Sequence, residues 1–244
     1  MPAEGAIEVS GSSSTTSTTA RSGSTAIVVI GGNPPISAVV QALPTYDFVV
    51  AADSGLHGAH LLGLKVNDVI GDMDSVDPRL LDDAQSAGAT IQRAPRDKDA
   101  TDTELALLYA AGRGAQRIVV VTGGGGRLDH QLGVLNVLFH PRLEAIRVEM
   151  FWDTAHVLAL RGPGTAIVRG RQGEVVGLLP IGTDATGITT DGLRWPLDNE
   201  TIPAYSTRGV SNELIGTLAS IALTLGHLLI IRPQALETKH ENTI

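Results

Sequence analysis

Between Thr25 and about Phe139, segments typical of buried strands alternate with segments typical of helices. Runs such as TAIVVIGG and DFVVAAD are apolar and end at glycine or aspartate, whereas PRLLDDAQSAG and TDTELALLYAAGRG carry helical periodicity and helix-end signals. Alternation of this kind favours parallel strands whose connecting helices cover the sheet. It therefore predicts an α/β fold with an N-terminal Rossmann-like parallel sheet and helices on both faces.

After Pro141 the pattern changes to short β-rich segments, such as RVEMFWDT, AHVLALRG, EVVGLLPIG and HLLIIRP, divided by Gly, Pro, Asp and Asn. Helical periodicity is largely lost, which is typical of an antiparallel sandwich or barrel. We therefore expect a C-terminal all-β sandwich-like domain. The predicted divisions are a disordered Ser/Thr-rich tail at 1–24, an α/β catalytic domain at 25–143, a β-domain at 144–235 and a second tail at 236–244.

Charge and cysteine content exclude several functional classes. The formal net charge of -8 argues against general binding to nucleic acid or to anionic lipid. The chain has no cysteine, which excludes disulfides, zinc–thiolate sites and thiol nucleophiles. The absence of cysteine is typical of proteins that need no disulfides in a reducing compartment, so we predict a cytoplasmic location. The N-terminal tail lacks the apolar core of a signal peptide.

The apolar segment Ile215–Ile231 is nearly long enough to cross a bilayer. It contains glycine, serine, threonine and histidine, and it divides at LGH into two short apolar runs. We therefore predict two paired strands here rather than a membrane span.

The stretch VIGDMDSVDP places three carboxylates within six residues where a predicted strand ends. Asp77 precedes Pro78, so we expect it to cap the following helix. Asp72 and Asp74 are two residues apart, a spacing that points both side chains to the same side of an extended backbone. Such a pair suits Mg²⁺, which one or two carboxylates and phosphate oxygens commonly hold. The spacing alone equally allows a solvated acidic turn.

A second group, RDKDATDTE, follows another predicted strand. Thr101 and Glu104 have capping-box spacing, and Asp102 falls in the first helical turn, where the helix dipole favours an acid. Capping does not explain Lys98 and Asp99. Asp53, which ends DFVVAAD, is expected at the same edge of the sheet as the acids of both groups. Acids from separate loops converging on one edge indicate a metal site.

The third group is TGGGGRLDH at 122–130, in which four glycines follow a strand and open a helix. Glycine allows close backbone approach to a phosphate, and Arg127 supplies a planar cationic fork. The run matches neither the Walker A loop nor G-x-G-x-x-G, and a flexible turn is the simple alternative. For Asp129 and His130, first-turn and ordinary structural roles are favoured over catalysis. Together, the three groups suggest a metal–nucleotide site.

These motifs, in this order, resemble the thiamine pyrophosphokinase family: AADSG (51–55), VIGDMDS (69–75), KDATD (98–102) and TGGGGRLDH (122–130). TTDGLRWPL (189–197) and GVSNEL (209–214) are similar to the signatures of that family's β-domain. The resemblance spans about Thr25 to Pro233. It implies an α/β domain, a β-sandwich-like domain and a homodimer with active sites between subunits. It also implies Mg²⁺-dependent transfer of the diphosphoryl group of ATP to thiamine, with release of AMP.

The resemblance also implies roles for individual residues. Catalysis would involve Asp72, Asp74, Asp99 and Asp102, and Mg²⁺ would be bound by Asp72, Asp74 and Asp102. The ATP side would include Asp53, Lys98, Thr101, Gly124, Gly125, Gly126, Arg127 and Asp129. Thiamine would face Trp195, Ser211 and Asn212, since tryptophan offers a good surface to a flat cation. The structural alternatives are a core position for Trp195 and turn formation by Ser211 and Asn212.

Two other functions remain open from the sequence. The GDMDS stretch also fits the D-x-D of a metal-dependent nucleotide-sugar glycosyltransferase. A nucleotide- or thiamine-sensing module without turnover is the non-enzymatic alternative, which the complete set of acids argues against.

Overall fold

The computed structural model describes residues 23–237, so most of both predicted tails lies outside the described residues. The predicted N-terminal strands and helices are present in the predicted order. The strands are β1 (Ser24–Val29), β2 (Phe48–Ala52), β3 (Asp68–Gly71), β4 (Thr90–Arg93) and β5 (Ala115–Thr122). The helices are α1 (Val39–Ala42), α2 (Gly55–Leu61), α3 (Pro78–Ser86), α4 (Asp102–Gly112) and α5 (Leu128–Val137).

A 3₁₀ turn (Pro141–Leu143) leads into the β-rich half. Its strands are β6 (Arg147–Trp152), β7 (Ala155–Arg161), β8 (Gly164–Arg169), β9 (Val175–Pro180), β10 (Ala185–Asp191), β11 (Glu200–Ile202), β12 (Asn212–Glu213), β13 (Leu218–Leu223) and β14 (His227–Arg232). The expected mixture of an α/β half and a β-rich half is confirmed.

One ten-stranded sheet runs through both halves, in the order β12-β9-β14-β7-β6-β5-β1-β2-β3-β4. The strands from β4 to β6 are parallel, and β6 then pairs antiparallel with β7. The sheet therefore passes the predicted boundary at 143/144 without interruption. The two halves share a hydrogen-bonded ladder, and their division into separate domains stays a prediction.

The central strands are buried on both faces because helices pack on each side of them. Alternation along β1 sends Ala26 and Val28 into a first core beneath α4 and α5, and sends Ile27 and Val29 into a second core beneath α2 and α3. Leu236, placed in the predicted C-terminal tail, packs against the second core.

A second, antiparallel sheet has the order β11-β10-β13-β8 and closes a third core against the β-rich end of the large sheet. The segment 215–231 indeed forms strands, but the prediction that they pair with each other is wrong. β13 pairs with β8 and β10 in the small sheet, whereas β14 pairs with β7 and β9 in the large one. Crossing between two packed sheets lets both apolar runs face one core. Within residues 23–237, none of the helices has the length and apolar content needed to cross a membrane.

Glu149 on β6 is the most buried carboxylate at the junction between the parallel and antiparallel strands, with 2 % of its residue surface exposed. Its carboxylate pairs with Arg117 of β5, and its Oε2 lies 3.1 Å from His156 Nε2 of β7 and 3.5 Å from Arg147 Nη2. Burial alone would raise the pKa of Glu149, but the hydrogen bond from His156 and the charge of Arg117 outweigh it and lower that pKa. The ionised form therefore stabilises the folded chain.

We expect Glu149→Gln to lower the free energy of unfolding at pH 7 by about 2 kcal/mol, since hydrogen bonds to a charged group are lost. A carboxyl whose pKa is lower in the folded chain stabilises above its unfolded pKa and loses that effect as the pH falls. The difference in unfolding free energy should therefore begin to narrow as the pH falls below about 4, the ordinary range of a glutamate pKa, and vanish once the pH is below the lowered pKa of the folded chain. Urea unfolding at both pH values tests this, with the exposed Glu144→Gln as control. A deficit independent of pH would contradict the electrostatic origin.

Candidate active site

The candidate site lies at the carboxyl ends of the parallel strands, where β1 stands between β2 and β5. From β1 the chain proceeds to β2, β3 and β4 on one side of it and then crosses to β5 on its other side. Open α/β sheets bind ligands in the crevice at such a point. A cavity of about 370 Å³ fills this position. Its wall is formed by the glycines after β1 and β5, acids after β2 and β3, the start of α4, one face of α5 and Trp152 at the end of β6.

Three carboxylates from two strand ends form a cluster at the edge of the cavity. Asp53, Asp72 and Asp74 each place an oxygen within 4.8 Å of the other two. Asp102 lies beside the same group, and Gly71 is the residue that both Asp102 and Asp53 approach closely. A Cβ atom added at Gly71 would lie 3.0 Å from Asp102 Oδ1 and 2.9 Å from Asp53 Cβ. Gly71, with φ of 151°, therefore gives the space in which the acids converge.

The two acids of the GDMDS loop converge by a turn rather than by the extended backbone assumed from their spacing. β3 ends at Gly71, and Met73 adopts a left-handed conformation with φ of 65°. The N–H of Asp74 donates to Asp72 Oδ1 at 3.1 Å, which closes the turn. Met73 is buried in the second core, so its packing fixes the unusual backbone between the two carboxylates.

The cluster is electrostatically unfavourable by itself. Burial raises the pKa of Asp53, and the nearby charges of Asp102, Asp72 and Asp74 raise it further. Asp53 Oδ1 and Asp102 Oδ1 are buried and make no hydrogen bond within residues 23–237. Buried oxygens of this kind are rare unless a cation or water satisfies them, and carboxylate oxygens are the ligands that Mg²⁺ prefers. The donor set therefore fits a hard divalent cation.

Two basic side chains partly neutralise the acids. Lys98 Nζ lies 3.2 Å from Asp72 Oδ2, with hydrogen-bond geometry, and 3.0 Å from Asp102 Oδ1, at ion-pair distance only. Burial alone would lower the pKa of Lys98, but its two carboxylate partners raise it overall. Arg96 pairs with Asp74, and this hydrogen bond is the main cause that lowers the pKa of the more exposed Asp74. Lys98 thus stays cationic at the centre of the site.

The glycine loop after β5 forms the opposite wall of the cavity. Gly124, Gly125 and Gly126 have successive φ values of 69°, 74° and 78°, a left-handed run that side chains would strain. Thr122 Oγ1 accepts from Gly124 N–H at 3.0 Å and donates to Gly31 O, which ties the loop to the end of β1. In the part of the chain that the structure describes, no hydrogen bond is recorded for the Gly125 and Gly126 N–H groups. The loop therefore has donors available for an anion.

The remaining residues of the first three motifs occupy different positions around the cavity. Thr101 caps α4 by accepting from Glu104 N–H at 3.2 Å, as predicted. Arg127 lines the cavity, but its side chain is 72 % exposed and pairs with Asp129. Asp99 is exposed and does not line the cavity. Outside the site, Asp77 caps α3 by accepting from Arg79 N–H, which confirms its structural role.

The candidate thiamine residues lie in the β-rich half and do not line this cavity. Trp195 is 53 % exposed, so the structural alternative of an ordinary core position does not hold for the single chain. Asn212 is buried, with its Oδ1 accepting from Trp195 N–H and its Nδ2 donating to Trp195 O. Ser211, beside it, is exposed with φ of 64°. Asn212 thus fixes the backbone that presents the Trp195 indole.

Family models match both halves of the chain. The model described as "Thiamin pyrophosphokinase, catalytic domain" matches residues 39–150, and that described as "Thiamin pyrophosphokinase, vitamin B1 binding domain" matches residues 165–228. The chain belongs to the thiamin pyrophosphokinase family. The first match includes the acidic motifs and the glycine loop, and the second includes Trp195, Ser211 and Asn212.

Curated relatives are similar to this chain over part of their length. Thiamine pyrophosphokinase 1 of Oryza sativa subsp. japonica is 35 % identical over 157 residues, which cover 59 % of this chain and 58 % of the relative. Thiamine pyrophosphokinase of Bacillus subtilis is 27 % identical over 165 residues, covering 68 % of this chain and 77 % of the relative. The match thus spans little more than half of the rice protein.

Solved structures of the family share the fold. The thiamine pyrophosphokinase of Bacillus subtilis superimposes with a TM-score of 0.75 at 25 % identity, covering 85 % of this chain and 98 % of that one. The thiamin pyrophosphokinase of Candida albicans gives a TM-score of 0.71 at 14 % identity, covering 85 % of this chain and 89 % of that one. At that low identity the likeness concerns the fold alone.

Several cavity residues of this family member were not singled out from its sequence. They are Gly31, Gly32 and Trp152, together with Ser54 and Thr122, which lie within the quoted motifs but were given no role in the cavity. The paired glycines at the end of β1 could have been predicted to line a site, since glycine after a strand permits close approach of another backbone or of a ligand. For Trp152 the signal was weaker, because a tryptophan at a strand end is equally typical of a core residue.

We expect Asp53→Asn to raise the melting temperature of the metal-free protein by about 2–4 °C, since it removes one like charge from a buried cluster. Asparagine also tolerates the left-handed backbone at this position, where φ is 46°. Thermal unfolding in the presence of a chelator measures the change. Asp82→Asn, on the exposed surface of α3, alters the net charge equally and should leave the melting temperature unchanged. A lower melting temperature for Asp53→Asn would mean that the acids do not repel one another.

Proposed function

We propose that this chain transfers the diphosphoryl group of ATP to the hydroxyl of thiamine, giving thiamine diphosphate and AMP. The observation that carries the proposal is the acidic cluster facing a left-handed glycine loop across one cavity. Such a pair of walls suits a polyphosphate, since one side binds it through a cation and the other through backbone N–H groups. Membership of the family supports the choice of substrates.

The reaction requires positioning and charge neutralisation more than covalent help from the protein. The hydroxyl oxygen of thiamine attacks the β-phosphorus of ATP, and the bond from that phosphorus to the oxygen bridging to the α-phosphorus breaks. AMP leaves with the electron pair, and the hydroxyl proton passes to a base. Asp99 or Asp102 is the candidate acceptor for that proton. Of the two, Asp102 lies beside the cluster, whereas Asp99 is exposed in this chain.

The divalent cation proposed for this site is Mg²⁺, held by Asp72, Asp74 and Asp102. Asp53 joins this set as a further candidate, because its oxygen lies within the same cluster. When bound, Mg²⁺ would neutralise phosphate charge and lower the pKa of a coordinated hydroxyl. Lys98 supplies a fixed positive charge beside Asp72 and Asp102, where it can orient a phosphate oxygen. Thr101 holds the start of α4, and Arg127 and Asp129 stand at the mouth of the nucleotide side.

The thiamine part of the site is proposed to form between two copies of the chain. Trp195 is exposed and lies outside the cavity of its own chain, as a residue that serves a neighbouring subunit would. The Arg194 guanidinium lies 4.9 Å from the centroid of its indole, a contact that illustrates the attraction of this ring for a cation. A homodimer would bring Trp195 and Ser211 of one copy to the acids of the other, with Asn212 fixing Trp195.

Three finer expectations accompany this proposal. The parallel part of the sheet is assigned to the Rossmann-like class on its strand order and two-sided helices. The division at 143/144 into a catalytic and a thiamine-binding domain rests on the change of sequence pattern. The cytoplasmic location rests on the cysteine-free sequence.

A product assay tests the proposed reaction. The purified chain is incubated with ATP, Mg²⁺ and thiamine, and the nucleotide products are separated by chromatography. AMP and thiamine diphosphate in equal amounts are expected. ADP would instead indicate an ordinary kinase, and turnover of a nucleotide sugar without turnover of ATP would indicate a glycosyltransferase. Tight binding of ATP or thiamine in calorimetry without any product would identify a sensing module.

We expect Asp74→Asn to reduce kcat/KM by at least about a hundredfold with the fold intact, as loss of a charge contact to the transition state would do. Steady-state formation of AMP measures the effect, and circular dichroism checks the fold. Asp77→Asn is the matched control, because it lies in the same loop and asparagine also caps a helix. Near-normal turnover of Asp74→Asn would remove Asp74 from the metal site.

We expect Trp195→Ala to raise the KM for thiamine more than the KM for ATP, since the indole is proposed to contact thiamine and not ATP. The comparison requires saturation curves for each substrate at a fixed excess of the other. Tyr205→Ala removes another exposed aromatic ring from the same half and should change neither constant. Equal increases in both KM values for Trp195→Ala would indicate a general structural role.

A further inference from the structure

Trp152 lines the cavity but has no role in the proposed reaction as described above. It lies outside both segments matched by the family models, which end at residue 150 and resume at residue 165. Ile30 belongs to the first core, Val134 and the Trp152 indole pack against that core, and all three side chains line the cavity. An apolar patch with a flat aromatic ring therefore stands in the same cavity as the acids.

The backbone holds Trp152 rigidly at the point where the sheet changes from parallel to antiparallel. Trp152 is in register with Thr122 of β5 on one side and with Ala155 of β7 on the other. A two-residue turn joins β6 to β7, with Asp153 at φ of 51° donating its N–H to Thr122 O at 2.9 Å. The indole is thus fixed to the same strand end from which the glycine loop begins.

The Trp152 indole also contacts the glycine loop. A Cβ added at Gly124 would stand 2.0 Å from Trp152 Nε1, so the ring edge lies against the Gly124 backbone. A ligand whose phosphates bind the N–H groups of this loop would carry its attached ring system toward the indole. Aromatic side chains bind the faces of nucleic-acid bases by stacking, and replacing one with alanine typically lowers the affinity by about fivefold to a hundredfold.

We propose that Trp152 stacks on the purine ring of the bound nucleotide and so sets the affinity for ATP. This inference rests on the proposed function, since it takes the glycine loop as the phosphate site. Thiamine is the less suitable occupant, because it brings no phosphate to the loop and its own aromatic partner, Trp195, lies outside the cavity. Trp152 thus determines binding of the base, whereas the acids and the loop determine binding of the phosphates.

Fluorescence separates the two tryptophans, because the chain contains only Trp152 and Trp195. In Trp195→Phe, the emission of Trp152 should be quenched saturably by AMP, a probe that carries the base without the transferable phosphates. In Trp152→Phe, AMP should leave the emission of Trp195 unchanged. Quenching in Trp195→Phe by thiamine but not by AMP would overturn the assignment, as would no response to AMP concentrations that stabilise the protein thermally.

Kinetics distinguish stacking from support of the loop. Trp152→Ala should raise the KM for ATP about tenfold or more, while kcat and the inhibition constant of inorganic tripolyphosphate, which has no base, stay within about twofold. Trp152→Phe, which keeps an aromatic face, should retain most of the affinity. Equal losses for ATP and tripolyphosphate would overturn the proposal in favour of a structural role. Absence of thiamine diphosphate formation by the wild type would instead refute the proposed reaction, and quenching by AMP would still test Trp152.

Discussion

Mutual repulsion among four carboxylates is the constraint around which this molecule is organised. In water such groups would separate, and here the hydrogen-bonded parallel strands bring their ends to one edge and keep them there. The cores on both faces of the sheet resist any relaxation, since the strands behind the acids are buried on each side. Burial first, and then the charges of the neighbouring acids, raise the pKa of Asp53 in this arrangement. A folded chain tolerates such stress where ligand binding relieves it.

The repulsion among the acids is reduced by two basic side chains, which are always present, and would be reduced further by a bound divalent cation. Lys98 lies between Asp72 and Asp102, Arg96 pairs with the outermost acid, Asp74, and a divalent cation would satisfy Asp53 Oδ1, the buried oxygen that neither side chain reaches. The two basic side chains together carry less positive charge than is needed to neutralise the four acids. A polyphosphate with its cation therefore meets a site that already carries part of the required positive charge and still has open oxygen ligands.

The sequence was sufficient for the order of elements, because strand and helix periodicities differ and caps such as Asp77 and Thr101 mark helix starts. It was sufficient for the convergence of the acids, since the ends of parallel strands share an edge. It did not indicate that β6 continues the parallel sheet or that β13 and β14 separate, because pairing partners leave little trace in a strand's own residues. The left-handed backbone of Met73 could not be predicted from the sequence either, because that conformation is stabilised only by the tertiary packing of the side chain.

In the β-rich half, the buried Asn212 affects the surface indirectly, by fixing the position of the exposed Trp195. Asn212 makes its hydrogen bonds to the backbone of Trp195, so an amide that the motif associates with thiamine serves here to hold the indole. Its predicted direct contact with thiamine stays a prediction. Loss of Asn212 and loss of Trp195 would accordingly impair the same surface by different routes.

The unbroken ladder from β4 to β12 also limits how this molecule can move. Bending one half against the other would require opening the pairing of β5 with β6 or of β6 with β7, each held along its whole length. The two halves therefore keep one relative orientation, and the position of Lys98 against the acids depends on the short connection 96–101. In mechanical terms the continuous sheet makes the two halves one stiff body.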